Sequence, residues 1–142
     1  MHKAFKLMLG LSASVVVAMS AAAHHSFVSQ YDADQPVNMT GIVTRIAWMN
    51  PHVYFYIDVM NEDTGEAESW GFEMGPPHML QGRGWKRNSM QIGDELEVTG
   101  TRARDGSLTA NARRVTLTST GQVLGAASSE NQTITTGEPS DN

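Results

Sequence analysis

Residues 52–60, HVYFYIDVM, decide the fold because they form the clearest β-strand pattern in the chain. Apolar side chains alternate there with polar or amphipathic ones, which is the repeat of a strand with one buried face. Burial of the apolar set contributes about 6–12 kcal/mol before entropy. A slip of one residue would bury Asp58 instead, so we expect a well-specified register. The apolar set is Val53, Phe55, Ile57 and Val59, and the opposite set is His52, Tyr54, Tyr56 and Asp58.

The segment after this strand predicts a hairpin and then a short helix. Residues 61–65, NEDTG, have the composition of a hairpin loop. The return strand is expected over residues 66–74, where alternation resumes. Gly75 and two prolines end it, and proline in a first helical turn suits a helix over residues 77–81. The two faces of the return strand are Trp70, Phe72 and Met74 against Ser69, Gly71 and Glu73.

The remaining strands complete an all-β pattern with one short helix. A long first strand is expected at 37–49, and it should bend because both of its faces are apolar and Gly41 interrupts it. One helix between the third and fourth of five strands is the pattern of a small five-stranded OB-like Greek-key barrel. An open meander and a small β-sandwich are the alternatives. The later strands are expected at 95–101 and 107–118, with a turn at 104–106, a bulge near 113–114 and a short edge strand at 122–124.

The N-terminal residues 1–23 predict export. They combine two lysines, a short apolar run and three alanines, which are the three parts of a secretory signal peptide. The apolar run is shorter than the about 20 residues that a transmembrane helix needs. Cleavage after Ala23 would leave a periplasmic or secreted protein with no stable membrane anchor.

The rest of the chain divides into an arm, a barrel and a tail. Residues 24–36 show no clear period and predict an extended arm, which Phe27 and Tyr31 could attach to a surface. Residues 37–124 form the expected barrel domain. Residues 125–142 are small and polar, as is typical of a disordered tail.

Charge and composition exclude several classes of function. Without residues 1–23, eight Lys and Arg remain against fifteen Asp and Glu, a net charge of −7. Because Lys and Arg dominate phosphate binding, we expect no nucleic acid or anionic membrane as partner. The chain has no cysteine, hence no disulfide. It also contains no G-x-S-x-G, H-E-x-x-H or P-loop motif, so we expect no enzyme.

Two adjacent histidines, His24 and His25, carry the main functional hypothesis. Cleavage after Ala23 would let the new α-amine and the imidazole of His24 chelate one metal ion, and a second histidine would complete a nitrogen set suited to copper. This arrangement resembles the histidine brace of exported copper proteins. Cleavage one residue earlier would place a histidine third in the chain, a square-planar site for Cu(II) or Ni(II). The competing interpretation is a solvated chain end.

His52 and His78 could be further ligands if the arm folds back. Their alternative roles are a polar residue at a strand edge and a solvated helix residue. Met49 beside Trp48 suggests a second copper hypothesis, since thioethers suit Cu(I), but methionine also fills gaps in cores.

Tyr54 and Tyr56 share one face of the second strand and support an alternative function. In OB-folds this region binds oligonucleotides or oligosaccharides by stacking. The alternative is therefore a structural or interaction module that binds a protein partner or a glycan in the cell envelope. A cross-strand aromatic pair that covers the sheet is the structural interpretation.

Six short motifs complete the sequence evidence: His24-His25-Ser26-Phe27, Asn50-Pro51-His52-Val53, Trp70-Gly71-Phe72-Glu73, Gly84-Trp85, Gly93-Asp94 and Arg104-Asp105-Gly106. Together they resemble a family of small exported bacterial proteins that is classified as a domain of unknown function. The resemblance extends over nearly all of residues 24 to about 124. It implies an exported, β-rich domain and assigns no catalytic residues.

Overall fold

The computed structural model describes residues 27–128, which form six strands and a short helix. Residues 27–30 are helical and lead directly into the first strand. The elements are β1 (Tyr31–Ala47), β2 (Tyr54–Met60), β3 (Ala67–Glu73), α1 (Pro77–Gly82), β4 (Glu95–Ala103), β5 (Thr109–Leu117) and β6 (Gln122–Gly125).

The strands form one sheet that closes on itself. Its order is β3-β2-β1-β4-β5-β6, and all of these neighbours are antiparallel. A parallel pairing of β3 with β5 closes the first five strands into a ring. The predicted all-β class is confirmed, with α1 between the third and fourth strands and β6 as the expected short edge strand.

The first strand bends as expected and pairs with two other strands. Its N-terminal half pairs with β4 and its C-terminal half with β2, and Ile42 pairs with both. Gly41 lies at this crossing, where an added Cβ would be 2.5 Å from the carbonyl oxygen of Asp58. The predicted bulge in β5 is also present, because Thr99 pairs with Arg114 and the next residue, Gly100, pairs with Ala112.

The core fills the inside of the ring with the apolar faces that the alternation predicts. Phe55 and Phe72 are neighbours across β2 and β3, and their rings stack with centroids 5.3 Å apart. Leu80 of α1 and the following Trp85 are also buried and close the ring from the helix connection. The Trp85 indole donates a hydrogen bond of 2.8 Å to the carbonyl oxygen of Gly125.

The domain boundaries differ from the prediction at both ends. Residues 31–36 of the expected arm belong to β1, because Tyr31 pairs with Ala103 and Pro36 with Thr101. At the other end, Ala126 and Ala127 are buried. The Ala126 carbonyl accepts a 2.9 Å hydrogen bond from Gly75, so the ordered domain extends past the predicted tail boundary at 125. His24, His25 and the tail beyond residue 128 lie outside the described residues.

Candidate functional site

A buried carboxylate, Glu73, lies at the C-terminal end of β3. Alternation along β3 puts Glu73 on the outward face, opposite the buried Phe72, and its cross-strand neighbour is Tyr54. Glu73 is nevertheless only 6% exposed. A charged side chain is rarely buried unless it is paired, so the surroundings of Glu73 define a candidate site.

Three side chains surround this carboxylate. His52 places Nδ1 against Oε1, and the Tyr31 hydroxyl donates a 2.5 Å hydrogen bond to Oε2. Tyr54 is the cross-strand neighbour of Glu73, and the charge of Glu73 acts on its phenol. We refer to Tyr31, His52, Tyr54 and Glu73 as the Glu73 cluster. Each oxygen of the carboxylate thus has one partner, His52 at Oε1 and Tyr31 at Oε2.

The chain segment before β1 buries this cluster. The rings of Phe27 and Tyr31 are in contact, with centroids 5.3 Å apart, one helical turn from each other. Arg104, in the β4–β5 turn, donates hydrogen bonds to two carbonyl oxygens of the segment: Nε to Val28 at 2.8 Å and the backbone N–H to Gln30 at 2.9 Å. The predicted attachment through Phe27 and Tyr31 is thus present, and Tyr31 connects this segment to Glu73 at the end of β3.

Burial and the neighbouring negative charge shift both phenols of the cluster. Burial, reinforced by the hydrogen bond to Glu73, raises the pKa of Tyr31 well above its usual value of 10.0. Burial and the charge of Glu73 raise the pKa of Tyr54 to about 12. Both phenols are therefore neutral hydrogen-bond donors at physiological pH.

The pairing of His52 with Glu73 determines which ring nitrogen is available for other chemistry. Because Nδ1 faces a carboxylate oxygen, it carries a proton, and in the neutral ring Nε2 then has the free lone pair. The His52 side chain is 36% exposed, whereas the Glu73 side chain is 8% exposed. This is the arrangement in which a protein fixes a metal-ligating histidine through its second nitrogen.

A cavity of about 410 Å³ opens beside the cluster. Tyr31, Tyr54 and Glu73 contribute to one part of its wall, and the β4–β5 turn contributes Arg104 and Ser107, followed by Thr109 at the start of β5. Behind it, Asn111 is fully buried and donates a 2.9 Å hydrogen bond from Nδ2 to Ser128, while its Oδ1 has no partner among the described residues. The site therefore combines a paired carboxylate with an open pocket whose wall includes several polar side chains.

The structure brings some of the predicted site residues together and separates others. His52 and Tyr54 belong to the Glu73 cluster. His78 is exposed on α1, and the Tyr56 ring lies under the guanidinium of Arg45, 3.6 Å from its carbon atom. Within residues 27–128, no group of three or more His, Asp or Glu side chains is arranged to hold a metal ion. The predicted ligands His24 and His25 are not among the described residues.

Sequence reasoning missed the central residue of the site, Glu73. Alternation assigned it to the solvent face, and Tyr31 was assigned only an attachment role. The two residues are 42 positions apart, and their contact depends on how the first segment crosses the sheet. The available signal was a single carboxylate between two core residues, Phe72 and Met74, which does not by itself indicate burial.

Fold and site together define a small all-β domain with a polar cluster and a cavity at one end of its ring of strands. The chain belongs to a family of unknown function (DUF6152), whose model matches residues 13–112. All four residues of the Glu73 cluster lie within that match. A search of curated proteins found no match. None of the helices between residues 27 and 128 has the length and apolar character needed to cross a membrane.

Proposed function

We propose that the chain is an exported, non-catalytic protein that binds copper through His52 and the histidines His24 and His25 of a processed N terminus. The observation that carries this proposal is the contact between His52 Nδ1 and the buried carboxylate of Glu73. That contact leaves Nε2 of His52 available as a ligand, and imidazole nitrogens suit Cu(II).

The Glu73 cluster supports His52 as a ligand on energetic grounds. A carboxylate behind a ligating imidazole fixes the tautomer and the ring orientation and raises the basicity of the nitrogen that binds the metal. Tyr31 in turn holds Glu73 in place through a hydrogen bond to its other oxygen, Oε2. The metal would therefore meet a preorganised ligand, and less entropy would be lost on binding than with a mobile side chain.

The position of Phe27 supports His24 and His25 as the other ligands. Phe27 packs on Tyr31, which binds the same carboxylate as His52. His24 precedes Phe27 by three residues, and three residues span at most about 11 Å. Tethering within such a distance raises the effective concentration of the N-terminal nitrogens near the cluster. His78 is exposed on α1 and is not part of the proposed ligand set.

Titration calorimetry with Cu(II) tests the proposal on protein purified from the periplasm of an exporting host. Mass spectrometry of that protein first determines whether cleavage follows Ala23 and which residue carries the α-amine. We expect at least about a tenfold loss of affinity in a variant that lacks residues 24–25, and a similar loss in His52→Ala, because each removes nitrogen ligands.

His78→Ala is the matched control, since it removes one imidazole from the same domain without touching the cluster. Unchanged affinity in that variant, with losses in the other two, supports the proposed ligand set. Equal Cu(II) affinity in all four proteins would rule it out. A full-length chain that keeps residues 1–23 in the periplasm would contradict the role given to the processed terminus.

A further inference from the structure

The cavity beside the Glu73 cluster is a second site, and we propose that it binds a neutral saccharide unit. Tyr31, Tyr54 and Glu73 of the Glu73 cluster line the cavity, but His52 does not, so the inference requires no bound copper. The inference rests on three observations: the position of the cavity in the fold, the chemistry of the residues that line it, and its volume.

The cavity lies where the β4–β5 turn meets the segment before β1. The turn contributes Arg104, Asp105 and Ser107, and the segment contributes Ser29 and Gln30. Thr109 at the start of β5 and Tyr54 at the start of β2 complete this part of the wall. In OB-type rings of five strands, the loop between strands 4 and 5 is one of the loops that contact the ligand, which is an oligonucleotide or an oligosaccharide.

The lining favours the oligosaccharide. Sugar hydroxyls donate and accept hydrogen bonds at once, and the cavity offers both kinds of group: the hydroxyls of Ser107 and Thr109, and the guanidinium of Arg104. The phenol of Tyr54 adds an amphipathic surface. A volume of about 410 Å³ is within the usual range of small-molecule sites.

Charge disfavours a nucleic acid in the same place. Asp105 and Glu73 both line the cavity, and Arg104 already pairs with Asp32, with 3.4 Å between Nη2 and Oδ1. A phosphate would meet two carboxylates and one engaged guanidinium, in a protein of net negative charge. A cationic ligand is also disfavoured, because His52 and Tyr31 already bind the two oxygens of the Glu73 carboxylate.

The cavity also replaces the surface that the sequence suggested for a glycan. That surface required Tyr54 and Tyr56 to present their rings side by side. Arg45 covers the ring of Tyr56, whereas Tyr54 faces the cavity. Tyr56 therefore serves as a matched control: a tyrosine on the same strand and the same face, outside the proposed site.

Titration of ¹⁵N-labelled, metal-free protein in EDTA tests the inference by NMR. The probes are maltotetraose, cellotetraose, chitotetraose and, as the opposing arm, an oligothymidine. We expect saturable shift changes with at least one of the saccharides, confined to amides around Tyr54, Ser107 and Thr109. Tyr54→Phe and Thr109→Val should each weaken binding by roughly 3- to 10-fold, the value of one lost hydrogen bond. Tyr56→Phe should leave it unchanged.

Thr109→Val keeps the shape and the strand preference of the side chain. If Tyr54→Phe folds poorly, Thr109→Val alone can therefore test whether a cavity residue contributes to saccharide binding. No saturable shift with any of the three saccharides would overturn the inference. So would oligothymidine binding at these amides, or saccharide binding that both cavity variants leave unchanged. Because EDTA is present throughout, failure here leaves the copper proposal standing, and failure of copper binding leaves this one standing.

Discussion

Two neighbouring cross-strand pairs on the β2–β3 hairpin differ in polarity and in the face of the sheet on which they lie. Phe55 and Phe72 face the inside of the ring and stack with all of their surface buried. Tyr54 and Glu73 are the next pair along the same strands and face outward, yet Glu73 is buried as well. The first pair lies in the core inside the ring, whereas Glu73 of the second pair is bound by Tyr31, which is 42 residues away in the chain.

The difference predicts different consequences for stability and for the proposed ligand binding. The Phe55–Phe72 pair contributes apolar burial and stacking, which are insensitive to pH. The Tyr54–Glu73 pair holds a charge that needs partners, and those partners position His52 and form part of the cavity wall. We therefore expect changes in the first pair to affect mainly the free energy of unfolding, and changes in the second to affect mainly ligand binding.

Phe72→Ala should have the largest effect on stability. It removes a fully buried ring from the core and leaves a cavity, so the free energy of unfolding should fall by about 3–5 kcal/mol. Urea unfolding followed by tryptophan fluorescence measures this loss. Phe72→Leu is the graded control and should cost clearly less. An equally small loss in both variants would mean that the aromatic pair does not organise the core.

Glu73→Gln should lower the free energy of unfolding by less than Phe72→Ala does, and its main effect should be a loss of Cu(II) affinity. It removes the charge with which His52 and the Tyr31 phenol pair, so stability should fall by about 1–3 kcal/mol. Cu(II) affinity should fall by about 10- to 100-fold, because the amide no longer holds His52 as a carboxylate does. Calorimetry and urea unfolding measure the two effects.

Glu97→Gln, on the exposed face of β4, is the matched control for the loss of one negative charge. Glu97→Gln should leave both the free energy of unfolding and the Cu(II) affinity nearly unchanged. If Glu97→Gln weakens copper binding as much as Glu73→Gln does, the effect is one of net charge, and the positioning role of Glu73 is disproved.

Tyr31→Phe should change the free energy of unfolding least of the three substitutions at neutral pH. Its clearest effect should be on how that free energy depends on pH above pH 10. Loss of one hydrogen bond to a carboxylate should cost about 1–2 kcal/mol. The folded-state pKa of Tyr31 lies above the unfolded value of 10.0. Its contribution is therefore complete below pH 10 and declines as the pH rises further, since the unfolded chain then releases a proton that the folded chain retains.

Urea unfolding between pH 10 and about pH 12 measures this contribution, and Tyr54, with a pKa of about 12, contributes in the same direction. The decline of stability with pH should be less steep in Tyr31→Phe by about 1.4 kcal/mol per pH unit. Identical pH profiles for the variant and the parent would show that Tyr31 titrates normally and is not held in the cluster.

The contrast between the two pairs also explains how much the sequence could reveal. The strand at 52–60, its return partner, the short helix and the bulge in β5 follow from local periodicity and turn residues, and they are present. The role of Glu73 was not predictable, because periodicity describes the two faces of a strand and not what later covers the outward face. That cover depends on contacts such as Arg104 with Val28, between distant parts of the chain.

The candidate site was predicted in part. His52 and Tyr54 were singled out from their positions on the second strand, and both lie in the Glu73 cluster. Tyr56 and His78 matched the same patterns, and the structure places them elsewhere. A histidine becomes a plausible ligand through the group behind its second nitrogen, and that group is visible only in three dimensions.

Electron paramagnetic resonance of the Cu(II)-loaded, processed protein tests the central claim most directly. Nitrogen ligands split the copper signal, so the spectrum reports how many of them bind. We predict that His52→Ala loses the contribution of one nitrogen and that His78→Ala retains the parent spectrum. Identical spectra for the parent and His52→Ala would show that the metal does not bind His52, and would contradict the copper site proposed at the Glu73 cluster.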